Sequence, residues 1–408
     1  MPLDPSRRKM RSGLLAQSLV KRGHKVTWWA SGFDHLSKTK VLRGDGLIEL
    51  EPGLCLHYLS SLNYSKNISL RRYLDHLLYA RKFAQVVRKA EAPDLIIANT
   101  PDYHLAYEGY KYAQSLQIPY IVDVRDPWPD SFIDMSSNAF IKKLLRILLH
   151  RDFEKVRQII SGAVGITSMM SSLLAWALEK RDSRKSFESK VFYLGAKSFG
   201  FSQADFEKRS GWGKKHPFTV AYIGSFGALQ NPKIVIEAAS IIERKHPELP
   251  IAFIVAGDGP MRSEVEKLAK KVNNLRLHGW VNNAEIKGIL LQSHVGIIPE
   301  NLKQDTFPNK TFTYMSGGLP LLAGSEGELR EFILANSVGT TFNSKAPESL
   351  ANEIIALYKN PIEWKNMQAN ALEIFDSQFN ADRIYSEFAN WIECVYEQRL
   401  GAVSSRVI

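Results

Sequence analysis

The stretch 305–324, with the sequence DTFPNKTFTYMSGGLPLLAG, holds the residues best placed for chemistry. The apolar run 294–299 ahead of it predicts a strand buried on both faces, after which Pro308 ends the extended chain. Asn309 can then cap a helix that begins at Lys310. A helix that begins at the carboxyl end of a parallel strand binds phosphate, because its free N–H groups point into the crevice. Lys310 would add a positive charge there, although the same lysine is simply solvated on many ordinary turns.

Three glycine-bearing turns precede this stretch, each after an apolar run. They are GSFG at 224–227, GDGP at 257–260 and HGWV at 278–281. Each turn alone serves backbone geometry more often than phosphate binding. The order of all three turns ahead of PNKTFTYMSGGLP is a more specific signal than any one of them.

Apolar runs alternate with amphipathic segments along the whole chain. Strands are predicted at 26–30, 95–99, 119–124 and 163–167 in the first half, and at 218–223, 251–256, 275–277, 294–299 and 319–323 in the second. Such alternation predicts an α/β fold with doubly wound parallel sheets, whose ligands lie at the carboxyl ends of the strands. The segment 194–217 is rich in Gly, Ser, Lys and Phe and predicts a linker between two domains.

The chain opens on a helical pattern at 7–22, although a Rossmann-like domain begins with a strand and a glycine turn. The first strand is therefore missing from the predicted set. One hypothesis is that in-frame codons upstream of Met1 encode roughly five to ten apolar residues, about one ordinary strand. The other is that the sheet lacks this strand.

The composition fits a globular protein of two domains, with 408 residues of which 45% are hydrophobic and 23% charged. Two cysteines, Cys55 and Cys394, provide neither a disulfide framework nor metal-ligand spacing.

The net charge of +11 suits nucleic acid, anionic lipids or phosphorylated small molecules. Nucleic acid is the least favoured, since there is no zinc-finger spacing, RNP-like motif or basic tail. The polar start predicts no signal peptide, and the uncharged run 158–178 divides into a strand and a helix rather than a membrane span.

The segment 138–157 has the pattern of a basic amphipathic helix. Its sequence FIKKLLRILLHRDFEKVR carries six Lys or Arg residues against one Asp and one Glu. Such a helix can lie at an anionic membrane interface, with its apolar side chains in the bilayer and its cations toward the headgroups. The alternative is an ordinary surface helix whose leucines pack on the sheet.

With these motifs in order, the chain resembles the GT-B glycosyltransferases of the glycogen-synthase-like superfamily, family 4 or group 1. The resemblance rests on RGHKV near the start, DVRDPWPDS in the first half, and VAGDGP and GGLP in the second. DVRDPWPDS and FPNKTFTYMSGG are most similar to the subgroup described as L-fucosamine transferases of surface-polysaccharide clusters. The resemblance implies two Rossmann-like domains with parallel sheets facing across a cleft, 1–197 for the acceptor and 198–379 for the nucleotide sugar. It also implies a terminal helix, 380–408, that crosses back to the first domain.

The resemblance also assigns candidate site residues. Those for the nucleotide sugar are Gly224, Ser225, Gly227, Gly257, Gly259, Trp280, Val281, Asp305, Asn309 and Thr313. The catalytic candidates are Asp126, Lys310 and Arg125, the last of which stands where many members have a histidine. Arg11 and Gly13 are the candidates for the glycine loop on the acceptor side.

Four positions depart from the wider family pattern. Asp305 and Thr313 stand where the pattern has two glutamates, one near the donor sugar and one on the ribose. Ser225 and Gln230 stand where it has an arginine and a lysine that neutralise the diphosphate, which leaves Lys310 as the replacement cation. No metal is expected, because enzymes of this kind stabilise the leaving diphosphate with cations and helix dipoles, and the sequence has no DxD-like pair.

The leading hypothesis is a cytoplasmic glycosyltransferase, peripheral on the inner face of the cell membrane. It would move a sugar, such as an N-acetylated 6-deoxyhexosamine, from a nucleotide diphosphate to a polyprenyl-diphosphate-linked acceptor of lipopolysaccharide or capsule. The family implies retention of anomeric configuration and no cofactor. The rival hypothesis is a catalytically weak GT-B protein that binds a nucleotide sugar and a membrane or protein partner. A GT-B epimerase or phosphorylase is less favoured.

Overall fold

The computed structural model describes residues 10–35, 38–66, 69–100, 102–182, 186–209, 211–300 and 306–404. The chain divides into two compact units. The first unit is formed by Met1–Tyr193 with Tyr385–Ile408, and the second by Leu194–Ile384. The borders predicted from the sequence, after residues 197 and 379, lie a few residues from these.

The first unit alternates strands and helices, with a hairpin inserted after its first strand. Its strands are β1 Val26–Ser31, β2 Phe33–Asp34, β3 Thr39–Lys40, β4 Gly46–Glu51, β5 Leu54–Leu59, β6 Ile96–Asn99, β7 Tyr120–Val124, β8 Gly165–Ser168 and β9 Glu188–Val191. Its helices are α1 Arg11–Lys21, α2 Leu70–Val86, α3 Tyr103–Leu116, α4 Asp130–Asp134, α5 Ala139–Leu148, α6 His150–Gly162 and α7 Ser171–Glu179.

The second unit continues the same alternation. Its strands are β10 Phe218–Ile223, β11 Ile251–Ala256, β12 Leu275–His278, β13 Val295–Ile298, β14 Leu321–Ala323 and β15 Gly339–Thr341. The helices that follow β9 are α8 Gln203–Lys208, α9 Pro232–Lys245, α10 Arg262–Ala269, α11 Asn283–Gln292, α12 Asn309–Ser316, α13 Glu328–Ala335, α14 Pro347–Lys359, α15 Pro361–Ile374 and α16 Ala381–Ser404.

Two main sheets form the interior of the first unit. One has the order β6-β7-β8-β9 with every strand parallel. The other has the order β1-β5-β4, in which β5 is parallel to β1 and antiparallel to β4. Strands β7 and β8 are buried along their whole length. The hairpin β4–β5 and strand β9 are not among the strands predicted from the sequence.

Strands β1 and β6 each have one edge that pairs with no strand among the described residues. Both strands contribute to one apolar cluster, in which Trp29 and Ile96 pack with Tyr79 and Phe83 of α2. Both strands are only half-buried, unlike β7 and β8. In the Rossmann order 3-2-1-4-5-6 the first strand lies between the second and the fourth. The gap between β1 and β6 therefore corresponds to the position of the first strand in that order.

The second unit contains one six-stranded parallel sheet with the order β12-β11-β10-β13-β14-β15. Strands β10 and β11 begin and end where the apolar runs do. The core packs helices on the sheet, with Ile236 of α9 and Ile354 of α14 in the same cluster as Phe253 of β11. The direction of strand order reverses between β10 and β13, which is where open α/β sheets bind ligands.

The predicted linker 194–217 is a packed part of the second unit and contains helix α8. Arg209, only 5% exposed, donates hydrogen bonds to the carbonyl groups of Leu290, Ser293 and Gly317. These carbonyl groups lie at the carboxyl ends of α11 and α12, where a cation is favourable. Burial lowers the pKa of Arg209 to about 10. The linker prediction was wrong because one buried arginine fastens a segment of loop-like composition.

Helix α16 packs within the first unit from Tyr385 onward. The ring of Phe388 stacks on that of Phe192, with their centroids 4.2 Å apart. Glu393 pairs with Arg22 and with His24, and their hydrogen bonds lower its pKa to about 2. The terminal helix is thereby fastened to α1 and to the chain after β9.

The gap between β1 and β6 generates the first prediction. An extension ahead of Met1 that supplies five alternating Val and Ile residues should pair with both free edges. Each such side chain contributes about 1.5–3 kcal/mol when buried, so we expect a net gain of about 2 kcal/mol or more after the entropy cost. Denaturant unfolding and amide exchange of β1 and β6 measure the gain. The same extension with a central proline is the control, because proline cannot donate to a ladder. Equal stability of the two extended chains would show that the gap does not accept a strand.

Candidate functional site

The turns that follow β10 and β11 pack against each other without room for side chains. A Cβ atom on Gly257 would lie 1.8 Å from the carbonyl oxygen of Gly224, and one on Gly259 would lie 2.8 Å from that of Phe226. Both glycines also have positive φ angles, +155° at Gly257 and +154° at Gly259. Backbone geometry therefore explains these two glycines fully, whatever ligand the turns bind.

Lys310 and Glu300 meet at the point where the strand order reverses. Glu300 follows β13, Lys310 lies in the first turn of α12, and Gly224 follows the neighbouring β10. A Cβ atom on Gly224 would lie 2.9 Å from Nζ of Lys310. Because Gly224 has no side chain, the ammonium group of Lys310 can lie directly beside the turn.

The side chain of Lys310 is buried and paired, contrary to the exposed position that the sequence suggested. Its Nζ lies 2.7 Å from Oε1 of Glu300 and 4.6 Å from the centre of the Tyr222 ring, and the two charged side chains are 10% and 4% exposed. Burial lowers the pKa of Lys310, and the Glu300 carboxylate opposes that shift. At that distance Nζ of Lys310 donates to Oε1 of Glu300, while Oε2 of Glu300 has no hydrogen-bond partner among the described residues. The contact is an ion pair that leaves hydrogen-bonding capacity unused.

Helix α12 begins one residue earlier than predicted. Pro308 is its N-cap, with no side chain capping the first turn, so Asn309 is the first helical residue and is exposed. Asn309 was expected to cap the helix, and that expectation was wrong because proline fixes the extended residue ahead of the first turn. Thr313 is buried, and its hydroxyl donates to the carbonyl of Asn309 at 3.3 Å. Gly318, with φ +61°, follows the end of the helix.

The other candidates in the second unit differ in exposure. Ser225 is exposed, and Gly227 lies against Gln230, whose Oε1 would be 2.3 Å from a Cβ atom there. Trp280, after β12, is 73% exposed, while Val281 packs on an apolar cluster of β10 and β11. Asp305 lies outside the described residues. Ser225 and Gln230 bring no charge. In the described part of the chain, cations beside these turns are Lys310 and Arg262, and Nη1 of Arg262 lies 3.4 Å from Oδ2 of Asp258.

In the first unit, Arg11 holds a buried carboxylate of β7. Its guanidinium group contacts Asp123 through Nε at 2.9 Å and Nη2 at 2.7 Å, and it also donates to the carbonyl of Phe192. Arg11 is 3% exposed and Gly13 lies on the buried side of α1. Arg11 therefore fastens α1 to the sheet, and the role of Arg11 and Gly13 on the acceptor side stays a prediction.

Arg125 contacts the same carboxylate from the carboxyl end of β7. Its Nε donates to Asp123 at 2.8 Å, and its Nη2 donates to Ser12 and to Asn99. Burial alone would raise the pKa of Asp123, but the guanidinium groups of Arg11 and Arg125 hold it below its usual value. The Arg125 side chain is 20% exposed, which makes it the accessible member of this network.

Asp126 follows this network and has different electrostatics. Partial burial raises its pKa to about 6, and the nearby Arg72 and Arg125 oppose that shift. A carboxyl group with such a pKa exchanges a proton near neutral pH, which suits general acid or base chemistry. Among the first-unit candidates, Asp126 therefore has the properties most typical of a reacting group.

The structure gathers the predicted residues into one group in each unit. In the second unit it brings together the glycine turns and Lys310; in the first it brings together Arg11, Arg125 and Asp126. Sequence reasoning missed Glu300 and Asp123, the buried carboxylates on which both groups depend. Each lies inside or just after an apolar run, and a carboxylate in that position is the signal that could have revealed it.

Comparisons with known proteins agree with this arrangement. Residues 217–360 match the family model of glycosyl transferases group 1. Sucrose-phosphate synthase from Thermosynechococcus elongatus superimposes with a TM-score of 0.67 at 15% identity, covering 96% of this chain and 93% of that chain. Anabaena HepE in complex with UDP-glucose gives a TM-score of 0.57 at 17% identity, covering 83% and 86%. The E. coli trehalose-6-phosphate structure bound with UDP-2-fluoro glucose gives 0.66 at 10% identity, covering 96% and 97%. A search of curated protein sequences found no match.

The predicted fold class is confirmed by these similarities. The chain has the α/β GT-B fold, with parallel sheets in both units, and its second unit carries the group 1 glycosyl transferase match. The match covers the glycine turns, the Lys310–Glu300 pair and α12.

The buried Lys310–Glu300 pair generates the second prediction. Lys310→Ala should lower the free energy of unfolding by about 3–5 kcal/mol, because it leaves the Glu300 carboxylate buried without a counter-ion. The double change Lys310→Met with Glu300→Gln should recover most of that loss. Chemical denaturation of the three proteins measures both effects.

The matched control for this experiment is Lys233→Ala. Lys233 pairs with Glu264 at 2.8 Å, but these side chains are 33% and 52% exposed, so the change should cost less than about 1 kcal/mol. If Lys310→Ala costs no more than Lys233→Ala, the buried pair does not support the second unit.

Proposed function

We propose that this protein is a glycosyltransferase that takes its sugar from a nucleotide-diphosphate donor bound by the second unit. The observation that carries the proposal is the buried Lys310 at the carboxyl ends of β10 and β13, inside the segment that matches group 1 glycosyl transferases. Several structural neighbours were crystallised with UDP or UDP-sugars, which supports UDP as the first nucleotide to test.

The leaving diphosphate needs positive charge as its bond to the sugar breaks. The first N–H groups of α12, which no described side chain caps, and the remaining donors of Lys310 would supply that charge without a metal ion. Glu300 would then balance Lys310 when no donor is bound. In this scheme Asp126 and Arg125 act at the acceptor side of the reaction, and the anomeric configuration is retained.

Trp280 is the proposed contact of the nucleotide base. A tryptophan that is 73% exposed after a strand of the donor unit offers a free aromatic face. Stacking of a base on such a face contributes about 1–3 kcal/mol. Asp305, Asn309 and Thr313 remain the proposed contacts of the sugar and ribose, with Thr313 offering only a hydroxyl group.

Helix α5 is the proposed membrane contact. None of its residues is buried, and Phe140, Ile147 and Leu148 are 75%, 66% and 68% exposed. The exposure of these side chains supports the membrane contact over an ordinary surface helix whose leucines pack on the sheet. Helix α6 does pack on the sheet, through Val156 and Ile159, so the contact is confined to the first half of the 138–157 segment.

The charges of α5 favour an anionic lipid surface as the partner of its apolar side chains. Lys142, Lys143 and Arg146 lie on the same helix as the exposed apolar residues, and the net charge of the chain is +11. No helix in the described parts of the chain is both long and apolar enough to cross a bilayer. We propose peripheral attachment through α5 on the cytoplasmic face.

A polyprenyl-diphosphate-linked acceptor fits a protein attached in this way, and we propose surface polysaccharide such as lipopolysaccharide or capsule as the product. The transferred sugar is proposed as a hexose or N-acetylhexosamine, with L-fucosamine as the most specific candidate. A catalytically weak protein that only binds nucleotide sugar and membrane is the second candidate function. The departures at Ser225, Gln230 and Thr313 favour it, and a measurable transfer rate would exclude it.

The donor site generates the third prediction. A nucleotide sugar at a hundred times its dissociation constant should stabilise the protein by roughly 2.7 kcal/mol, and a thermal-shift panel in the presence of chelator will identify it. Trp280→Ala should weaken the affinity for that nucleotide about tenfold or more, and Trp280→Phe should retain most of it. Calorimetric titration measures the three affinities. Unchanged binding by Trp280→Ala would place the base elsewhere.

The exposed helix generates the fourth prediction. Lys142→Glu with Lys143→Glu and Arg146→Glu should release the protein from vesicles that contain an anionic phospholipid, because each cation contributes about 1 kcal/mol. Co-sedimentation with such vesicles measures binding. The control is Lys267→Glu with Lys270→Glu and Lys271→Glu, which makes the same change in charge on exposed residues of the second unit. If both triple variants bind vesicles alike, the attraction comes from overall charge and not from α5.

A further inference from the structure

Arg72 lies in the first turn of α2, and it has no role in the function proposed above. Its backbone N–H donates to the hydroxyl group of Ser69, the N-cap of the helix, at 3.2 Å. The first turn of a helix is an unfavourable place for a cation, because the helix dipole puts partial positive charge there. Contacts of the Arg72 side chain must therefore compensate for that cost.

Two aromatic rings hold the guanidinium group of Arg72. Its Cζ atom lies 5.5 Å from the centre of the Tyr64 ring and 5.7 Å from the centre of the Trp128 ring. A cation within about 6 Å of the centre of an aromatic ring is attracted to the face of that ring. Tyr64 precedes α2 and Trp128 follows β7, so the side chain of Arg72 joins two segments that are far apart in the sequence.

Trp128 belongs to the turn that carries Asp126. The backbone N–H of Trp128 donates to the carbonyl group of Asp126 at 2.9 Å. The Trp128 ring also contacts the ring of Phe132 in α4, with the two centroids 3.9 Å apart. The place of the Asp126 carboxyl group therefore depends on where the Trp128 ring lies, and Arg72 contacts that ring.

The charge of Arg72 acts on the same carboxyl group. Partial burial raises the pKa of Asp126 to about 6, and the positive charges of Arg72 and Arg125 oppose that rise, with Arg72 having the larger effect. Nε of Arg125 donates to Asp123 at 2.8 Å, so a nearer carboxylate balances part of its charge. Arg72 is therefore the cation whose removal should change the ionisation of Asp126 most.

We infer that Arg72 is a positioning residue for Asp126, because it holds the turn at Asp126 through the Trp128 ring and keeps a positive charge beside that turn. A general acid or base works best when its pKa lies near the operating pH. A residue that adjusts the pKa of Asp126 therefore adjusts the pH range of the reaction. The catalytic role of Asp126 rests on the proposed function, whereas the effect of Arg72 on Asp126 is a property of the free protein.

Arg72 also interacts with other titratable groups of the first unit, namely His35, Lys38, Tyr64, His76 and Asp102. Burial lowers the pKa of His35 to about 4 and raises that of Tyr64, so neither group changes charge near pH 6. A histidine such as His76 ordinarily titrates in that range. The measurement must therefore follow the carboxyl group of Asp126 itself.

The test is a carbon NMR titration of the full-length protein, labelled at its aspartate carboxyl groups and without ligand. Asp126→Asn identifies the resonance of Asp126. We expect Arg72→Gln to raise the pKa of Asp126 by about one unit, because removing a nearby positive charge favours the neutral carboxyl group. Arg72→Lys should restore most of the parental pKa, since it keeps the charge. In a transfer assay, the limb of the pH–rate profile that Asp126 sets should move to higher pH by the same amount.

The matched control is Arg71→Gln. Arg71 is the preceding residue of α2, it is exposed, and its guanidinium group donates to the carbonyl groups of Leu62 and Asn63. This variant removes the same charge from the same helical turn but not from the Trp128 ring, so it should shift the pKa of Asp126 much less than Arg72→Gln does.

Three results would overturn the inference. They are an unchanged Asp126 pKa in Arg72→Gln, equal shifts in Arg71→Gln and Arg72→Gln, and a lower melting temperature in both Arg72 variants with the parental Asp126 pKa, which would assign Arg72 to packing alone. Failure of the proposed function is a separate result. The parent would then transfer no sugar, while the pKa of Asp126 would still shift in Arg72→Gln.

Discussion

Each unit of this protein depends on a carboxylate buried at the carboxyl end of a central parallel strand. Asp123 is held between Arg11 and Arg125, and Glu300 is held by Lys310. Burying a charged group without a counter-ion is strongly unfavourable. The element that supplies the counter-ion must therefore stay in place. These pairs therefore fix α1 on the sheet of the first unit and α12 on the sheet of the second unit.

The two buried carboxylates differ in how many of their hydrogen bonds are made within the protein. We interpret the more fully bonded one as structural and the other as part of the candidate site. Asp123 receives hydrogen bonds from two guanidinium groups, and Arg11 also reaches a backbone carbonyl. In the Lys310–Glu300 pair, Oε2 of Glu300 and the remaining N–H donors of Lys310 have no partner among the described residues. Buried polar atoms without a partner are rare in native proteins, and a bound ligand can supply the partner. In the proposed function, the diphosphate oxygens accept hydrogen bonds from the ammonium group of Lys310.

The apolar runs in the sequence predicted β10 and β11 with their correct bounds, because a buried strand can be recognised from its own residues. They could not predict the burial of Lys310, since that depends on Glu300 reaching it from the end of another element. Arg11 and Arg209 were missed as structural residues for the same reason. A residue's charge is read from the sequence, whereas its counter-ion is set by the fold.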